Sequence, residues 1–282
     1  MKQISIVECP RDAMQGWPHL IPTATKIAYL NQLLDVGFDV LDFGSFVSSK
    51  AIPQMADTRE VLASLKPSST ELLAIIANTR GAAEACRYER ISYLGFPFSI
   101  SETFQMRNTN KSIADSFDQV REIQELAQKH GKRMVIYISM GFGNPYGDPY
   151  SAQLAIDYVG KITGLGIQIV AMSDTIGIAD PENIDYIFSQ LIPAFPDTEI
   201  GAHFHSTPHT RIEKLAAAYR AGCTRFDSSI NGIGGCPMAK DELVGNMATE
   251  TLVSYFEQQG ALPSLNRAAL DQALALAPGV FR

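Results

Sequence analysis

The chain has 282 residues, a formal net charge of -7 and four cysteines, and these values exclude several classes of protein. The length allows one sizeable hydrophobic core, and the acidic balance leaves no basic stripe to neutralise the phosphates of a nucleic acid. No apolar run approaches the roughly 18 residues of a membrane-spanning helix, and the cysteines lack the spacing of a disulfide framework or a zinc ribbon. We therefore expect a single-domain cytoplasmic protein with reduced cysteines that binds neither nucleic acid nor membranes.

Short apolar runs alternate with amphipathic stretches of helical length, which is the pattern of repeated βα units around a parallel sheet. The predicted strands are residues 4–7, 40–43, 72–77, 90–95, 134–140, 167–172, 199–204 and 225–229. The predicted helices are residues 23–36, 58–66, 79–88, 111–130, 151–164, 181–194, 208–221 and 241–259. Eight such units predict a (β/α)8 TIM barrel, with residues 1–282 as one catalytic domain and a helical extension at about residues 261–282.

Polar residues follow the predicted strands at their carboxyl ends, where TIM barrels form their active sites. The first strand leads into residues 8–12, the second into residues 42–45 and the sixth into residues 173–175. The seventh carries His203 and His205, whose spacing puts both imidazoles on one face of the strand, here towards the barrel axis. Each residue alone could serve a cap or a turn, but together they outnumber what structural need explains.

Two imidazoles side by side suit a divalent cation, and two packed or hydrogen-bonded histidines are the structural alternative. Asp12 and Asn246 could add oxygen ligands, and such a site without thiolate favours Mg²⁺ or Mn²⁺, with Zn²⁺ left open. Asp174 and Glu8 would then contact the substrate or support the ligands. Arg11 is either an ion-pair strut or a group that stabilises developing negative charge on oxygen.

The stretch from Ser229 to Glu250 combines several glycines with a thiol, an amide and a carboxylate. Such a glycine-rich loop is costly to order, which suggests that it has a function. Cys236 precedes a proline and would lie on a restrained turn, where a thiol either takes part in chemistry or simply packs. Asn246 and Glu250 are four residues apart at the predicted start of the last long helix, so we expect both on one side of it.

Motifs spread over the chain resemble those of hydroxymethylglutaryl-CoA lyase. They are residues 7–15 (VECPRDAMQ), 45–50 (SFVSSK), 53–57 (PQMAD), 173–177 (SDTIG), 203–205 (HFH), 234–237 (GGCP), 239–240 (AK) and 245–250 (GNMATE). The arginine–aspartate pair in the first motif is shared by a wider superfamily of metal-dependent barrel lyases and synthases. The glycine loop and the segment after it are highly specific to this family.

The resemblance implies a metal-dependent barrel that cleaves 3-hydroxy-3-methylglutaryl-CoA to acetoacetate and acetyl-CoA, as in leucine degradation. It also implies an acyl-CoA substrate and a homodimer. By the same resemblance, the metal ligands are Asp12, His203, His205 and Asn246. The catalytic residues are Arg11 for the enolate charge, Cys236 for its protonation, His203 for proton transfer, and Asp174. Substrate-binding residues are Glu8, Gln15, Asp42, Ser45 and Lys50.

Several positions depart from this family's pattern. Ser206 follows the second histidine where the family has an aspartate, which removes a carboxylate behind the metal ligands. Asp42 stands where a glutamate is usual, and Ala13-Met14 where Gly-Leu is usual. Residues 144–148 read Asn-Pro-Tyr-Gly-Asp in place of Cys-Pro-Tyr-Glu-Gly. The Ser206 departure predicts a difference in metal affinity or in substrate choice.

Two other functions stay open from the sequence. One is a related barrel acting on another hydroxyacyl-CoA or 2-oxo acid, including condensing enzymes like isopropylmalate and homocitrate synthases. Those enzymes lack the Gly-Gly-Cys-Pro loop and carry extra C-terminal domains. The other is a non-catalytic barrel that binds metal and a CoA ester, which only the missing aspartate after His205 supports.

Overall fold

The computed structural model describes residues 3–235 and 244–282 and contains a closed barrel of parallel strands. Each strand pairs with the next along the chain, and the eighth pairs with the first. The barrel strands are β1 (Ser5–Glu8), β2 (Val40–Ser45), β3 (Glu71–Ile75), β4 (Ile91–Ser99), β5 (Arg133–Ser139), β6 (Ile169–Asp174), β7 (Glu199–Ser206) and β8 (Arg225–Ser228). A short strand, β9 (Gly245–Asn246), joins β7 in antiparallel orientation.

Helices follow the strands and surround the barrel. They are α1 (Pro10–Gln15), α2 (Thr23–Val36), α3 (Thr58–Ser64), α4 (Thr79–Ala85), α5 (Glu102–Thr109), α6 (Ile113–Lys129), α7 (Ala152–Thr163), α8 (Pro181–Ala194), α9 (Arg211–Arg220), α10 (Thr249–Gln258) and α11 (Arg267–Val280). Single 3-10 turns cover Pro53–Met55 and Ile230–Gly232. Among the described residues, no helix is long and apolar enough to cross a membrane.

The predicted TIM barrel is confirmed, and all eight predicted strands lie within a few residues of the observed ones. Two helices, α1 and α5, are absent from the prediction because both are short and α5 is mostly polar, so neither shows an apolar stripe. The last predicted helix begins at Thr249 and not at residue 241, and residues 236–243 lie outside the described part of the chain. Between residues 261 and 282 lies α11, which packs beside α2: Gln32 donates to the carbonyl of Ala269 at 3.0 Å.

Side chains alternate along the strands between two hydrophobic clusters, one inside the barrel and one under the helices. The inner cluster contains Val7, Cys9, Val40, Leu73, Ile75, Tyr93, Val135, Tyr137, Ile169 and Ala171. The alternation continues to the carboxyl ends of the strands. Ser139 lies two residues after Tyr137 on β5, and His203 lies two residues after Gly201 on β7, so each pair shares one face of its strand. Apolar packing deeper in the barrel therefore fixes which polar side chains point into its mouth.

Candidate active site

A cavity of about 460 Å³ opens at the carboxyl ends of the strands, which is a usual size for a small-molecule site. Its polar lining comes from strand ends and from α1, namely Arg11, Asp12, Gln15, Ser139, Ser173, Thr175, His203 and His205. The rest of the lining is mostly apolar and includes part of α5. It consists of Val47, Ala51, Ile52, Ile75, Ala77, Pro97, Phe104, Arg107, Asn108, Thr109, Tyr137 and Gly235. A polar floor beneath a partly apolar wall can hold a reacting group and an acyl chain together.

Three potential metal ligands meet at the floor of this cavity. One donor atom from each of Asp12, His203 and His205 lies within 4.8 Å of the others. Asp12 reaches this point because α1 begins at Pro10, directly after β1, where a proline suits the first turn of a helix. Two nitrogens and one oxygen that converge in a largely buried place can hold a divalent cation.

His205 is fixed with one ring nitrogen directed at the backbone and the other left open. Its Nδ1 lies 2.7 Å from the carbonyl oxygen of Thr175, which requires a proton on Nδ1. Its Nε2 is buried and has no hydrogen-bond partner among the described residues. Burial and the neighbouring His203 lower the pKa of His205, so the ring is neutral and Nε2 carries a lone pair. Such an unpartnered lone pair suits a metal ion.

His203 is oriented by a carboxylate that the sequence prediction missed. Its Nδ1 lies 3.0 Å from Oδ2 of Asp227, on the neighbouring strand β8. Burial alone would lower the pKa of His203, but the hydrogen bond and charge of Asp227 outweigh burial and raise it. The signal for Asp227 is its position two residues after Arg225 on β8. Residues two apart on a strand share a face, and both of these side chains face into the barrel.

Asn246 lies in β9 and not on the last helix, which corrects the prediction that it shares a helix face with Glu250. Its backbone pairs with that of His205 in the antiparallel ladder. Its Nδ2 donates to Oδ2 of Asp12 at 2.8 Å and to the carbonyl of Ile233 at 2.9 Å. With the amide nitrogen held by two acceptors, Oδ1 is the atom that could serve a cation.

Arg11 lines the cavity and is held by three side chains. Its Nε donates to Asp42 at 2.9 Å, and its Nη1 donates to Asp12 at 3.0 Å and to Gln15 at 2.9 Å. Burial alone would raise the pKa of Asp12, but the Arg11 guanidinium and the two histidines outweigh it and lower the pKa to about 2. Asp12 is therefore ionised, and Arg11 presents a fixed positive charge to the cavity.

Of the other predicted site residues, Gln15 lines the cavity, while Asp42 is fully buried behind Arg11. Glu8 is also fully buried: its Oε1 accepts from the backbone N–H of Ile230 at 2.9 Å, and its Oε2 accepts from the Thr249 hydroxyl at 2.5 Å. Burial raises the pKa of Glu8 to about 8. Glu8 thus joins the loop after β8 to the start of α10, outside the cavity lining.

Ser45, Lys50 and Asp174 also lie outside the cavity lining. The Ser45 hydroxyl accepts from the backbone of Val47, which does line the cavity, at 3.1 Å. Lys50 is exposed. Asp174 is completely buried and forms an ion pair with Lys214 at 2.6 Å. Cys236 belongs to residues 236–243, outside the described part of the chain.

The cavity wall formed by α5 includes part of residues 106–111, a stretch whose positive groups the sequence places near the barrel mouth, although the helix itself is absent from the prediction. Phe104 stacks on Tyr146 with ring centroids 6.4 Å apart, and the Arg107 guanidinium lies 4.8 Å from the centroid of the same ring. Asp148 accepts from the backbone N–H and the hydroxyl of Thr103, each at 2.8 Å. The loop after β5 therefore holds α5 against the cavity.

Comparison with known proteins agrees with this geometry. The HMGL-like family model matches residues 3–276. A Bacillus subtilis protein named hydroxymethylglutaryl-CoA lyase is 33% identical over 259 residues, which cover 91% of this chain and 86% of that protein. A Pseudomonas aeruginosa protein named 3-hydroxy-3-isohexenylglutaryl-CoA/hydroxymethylglutaryl-CoA lyase is 31% identical over 253 residues, covering 89% of this chain and 84% of that protein.

Solved structures give the same result. A structure from Acinetobacter baumannii, described as an HMG-CoA lyase in complex with coenzyme A and 3-methylmalate, superposes with a TM-score of 0.91 at 32% identity. The superposition covers 99% of this chain and 91% of that one. Nearly the whole chain is thus matched in both sequence and structure, and the chain belongs to the HMGL-like family.

Proposed function

We propose that this protein cleaves 3-hydroxy-3-methylglutaryl-CoA to acetoacetate and acetyl-CoA. The observation that carries the proposal is the convergence of Asp12, His203 and His205 beside Arg11 at the floor of the cavity. Relatives that bear the name of this lyase, and the related structure described with coenzyme A, support the choice of substrate.

We propose that Asp12, His203, His205 and Asn246 hold a divalent cation, Mg²⁺ or Mn²⁺. The buried, unpartnered Nε2 of His205 and the ionised Asp12 fit such an ion. Oxygen ligands from Asp12 and Asn246 alongside two imidazoles suit these metals, and Zn²⁺ would also bind such a set. When bound, the ion supplies Lewis-acid polarisation of the substrate's tertiary hydroxyl, which makes that hydroxyl easier to deprotonate.

The reaction begins when the tertiary hydroxyl loses its proton. The bond between the hydroxyl-bearing carbon and the carbon next to the thioester then breaks, and its electron pair moves into the thioester as an enolate. The hydroxyl-bearing fragment leaves as acetoacetate, and protonation of the enolate carbon gives acetyl-CoA. The protein must therefore accept one proton, stabilise one negative charge and return one proton.

The residues divide these tasks. Arg11, held by Asp42 and Gln15, is proposed to stabilise the enolate oxygen, because its charge faces the cavity without needing to reorganise. His203 is proposed to serve in proton transfer as well as in ligation, with Asp227 fixing the ring for either role. Cys236 is proposed to return the proton to the enolate carbon.

The other proposed substrate-binding residues act at different distances from the cavity. Gln15 is in direct reach of a ligand, whereas Glu8, Asp42 and Ser45 support the residues in front of them. Lys50 would meet the CoA part of the substrate outside the cavity. Asp174 would act through its ion pair with Lys214.

An assay of acetoacetate release from 3-hydroxy-3-methylglutaryl-CoA tests the proposal. The protein is first treated with a chelator, then assayed alone and after addition of Mg²⁺ or Mn²⁺, with acetoacetate detected directly. Turnover that returns with metal supports the reaction and the cofactor together. If protein shown to bind metal stays inactive, 3-hydroxy-3-isohexenylglutaryl-CoA is the next substrate to test, since one relative's name includes it.

We also propose that the chain forms a homodimer in the cytoplasm, as its resemblance to this family suggests. Size-exclusion chromatography with light scattering should give twice the mass of the chain. A particle with the mass of a single chain would contradict the dimer.

A further inference from the structure

Lys214 on α9 is a buried cation that enters the reaction described above only through its ion pair with Asp174. Its Nζ donates to Oδ2 of Asp174 at 2.6 Å, to the carbonyl of His205 at 2.9 Å and to the carbonyl of Gly177 at 3.0 Å. The three protons of an ammonium group are therefore all used. The Lys214 side chain is 1% exposed and that of Asp174 is 0% exposed, so neither charge is screened by water.

The three acceptors join two adjacent strand ends. Asp174 ends β6, Gly177 lies in the turn that follows, and His205 lies near the end of β7. The other carboxylate oxygen of Asp174 accepts from the backbone N–H of Ala179 at 3.1 Å, which ties the far side of the same turn. Lys214 thus locks the turn after β6 against β7.

That turn also orients the ring of His205. The carbonyl of Thr175, inside the turn, lies 2.7 Å from Nδ1 of His205, and the Thr175 hydroxyl accepts from the backbone N–H of Met140 at 2.8 Å. Lys214 therefore holds His205 twice, directly through its carbonyl and indirectly through the turn that binds its ring. The neighbouring Ser206 does not do this, since its buried hydroxyl has no hydrogen-bond partner among the described residues.

We propose that Lys214 is a positioning residue for the divalent-cation site, which it serves by fixing His205 so that Nε2 points at the other ligands. The inference rests on the proposed function only through the cation site.

A purely electrostatic role makes the opposite prediction. A positive charge close to a cation site repels the cation, so removing it should strengthen metal binding. If Lys214 acts by holding His205, removing it should weaken metal binding, because loss of a group that orients a ligand typically costs about 10- to 100-fold in affinity. The direction of the change therefore separates the two roles.

The experiment measures Mn²⁺ binding by the electron paramagnetic resonance signal of free Mn²⁺ in chelator-treated protein. Lys214→Met should raise the dissociation constant by about 10- to 100-fold. Lys214→Met alone leaves the buried carboxylate of Asp174 unpaired, which would threaten folding. The double variant Lys214→Met/Asp174→Asn removes this carboxylate charge and should bind Mn²⁺ as weakly as the single variant.

Lys26→Met is the matched control. Lys26 is also buried, and its Nζ donates to Asp57 at 2.9 Å and to the carbonyl of Gln54, but none of its partners is a proposed ligand. The Mn²⁺ dissociation constant of Lys26→Met should stay within about twofold of the wild-type value. An unchanged or lower constant in the folded double variant overturns the inference. Because the readout is metal binding, inactivity towards 3-hydroxy-3-methylglutaryl-CoA would count against the proposed function alone.

Discussion

Glu8 should make the stability of the protein fall as the pH rises. Burial raises its pKa from 4.5 to about 8 in the folded state. The folded protein therefore keeps a proton that the unfolded chain releases between these values, and the free energy of unfolding falls across the same range. The contribution is fully present below about pH 4.5 and is lost as the pH rises through about 8.

The size of the effect follows from the same pair of pKa values. One pH unit corresponds to about 1.4 kcal/mol, so the full shift is worth up to about 5 kcal/mol. At pH 6, the share of this stabilisation that belongs to the range from pH 6 to pH 8 is still present, and most of it is lost by pH 9. The free energy of unfolding should therefore drop by about 2 to 3 kcal/mol from pH 6 to pH 9. Full burial of Glu8 means that water does not screen this effect.

Glu8→Gln isolates this contribution from other titrating groups. Glutamine can accept from Ile230 as Glu8 does, and can donate to the Thr249 hydroxyl, which lies 3.0 Å from the Ser228 hydroxyl and can donate to it in turn. Urea unfolding of both proteins at pH 6 and pH 9 should show similar stability at the lower pH and a variant about 2 to 3 kcal/mol more stable at the higher one. A difference in stability between the two proteins that is the same at both pH values would show that Glu8 does not release a proton from the folded protein in this range.

Three further predictions concern the site and the wall around it. Asp227→Asn should weaken Mn²⁺ binding by about 10- to 100-fold, measured by titration calorimetry, because Asp227 orients His203. Asp148→Ala should raise the KM for the CoA substrate several-fold, which corresponds to about 1 kcal/mol from the lost hydrogen bonds to Thr103. Its Mn²⁺ affinity, measured by titration calorimetry, should stay unchanged. Gly201→Ala should lower the free energy of unfolding in urea by about 1 to 3 kcal/mol, because the new Cβ would lie 2.9 Å from Cδ of the buried Arg225.

Each of these predictions has a result that contradicts it. Wild-type Mn²⁺ affinity in Asp227→Asn would mean that His203 needs no carboxylate to hold its ring. A change in metal affinity in Asp148→Ala would show that α5 does more than form the cavity wall. Unaltered stability in Gly201→Ala would require Arg225 to move aside without cost, although it is buried against that position.

The barrel and the histidine pair could be predicted because both follow from alternation along a strand. On β7 the apolar Ile200, Ala202 and Phe204 face the surrounding helices, so His203 and His205, at the alternate positions, face the inside of the barrel. The sequence places Asn246 on a helix because short antiparallel strands such as β9 have no period of their own. Its position depends on pairing with His205, a contact between distant parts of the barrel mouth that no local pattern records.

Lys214 and Asp174 show a second limit of sequence reasoning. Asp174 ends a strand that was predicted, so its place near the site was expected, but its partner comes from a helix face on the next βα unit. A lysine in an amphipathic helix normally extends into water, and only the packing of α9 on the barrel reveals that this one is buried. Helix α5 is absent from the prediction because it is short and mostly polar, and its first turn is held by Asp148, far along the chain.

Metal-dependent cleavage can be tested by measuring acetoacetate release from chelator-treated protein during titration with Mn²⁺, in wild type and in His205→Ala. We expect wild-type turnover of 3-hydroxy-3-methylglutaryl-CoA to rise with metal occupancy and to yield acetoacetate and acetyl-CoA in equal amounts. His205→Ala should need far more Mn²⁺ and stay slower. Equal turnover by both proteins, or full activity without metal, would show that the cleavage does not depend on a metal held by His205.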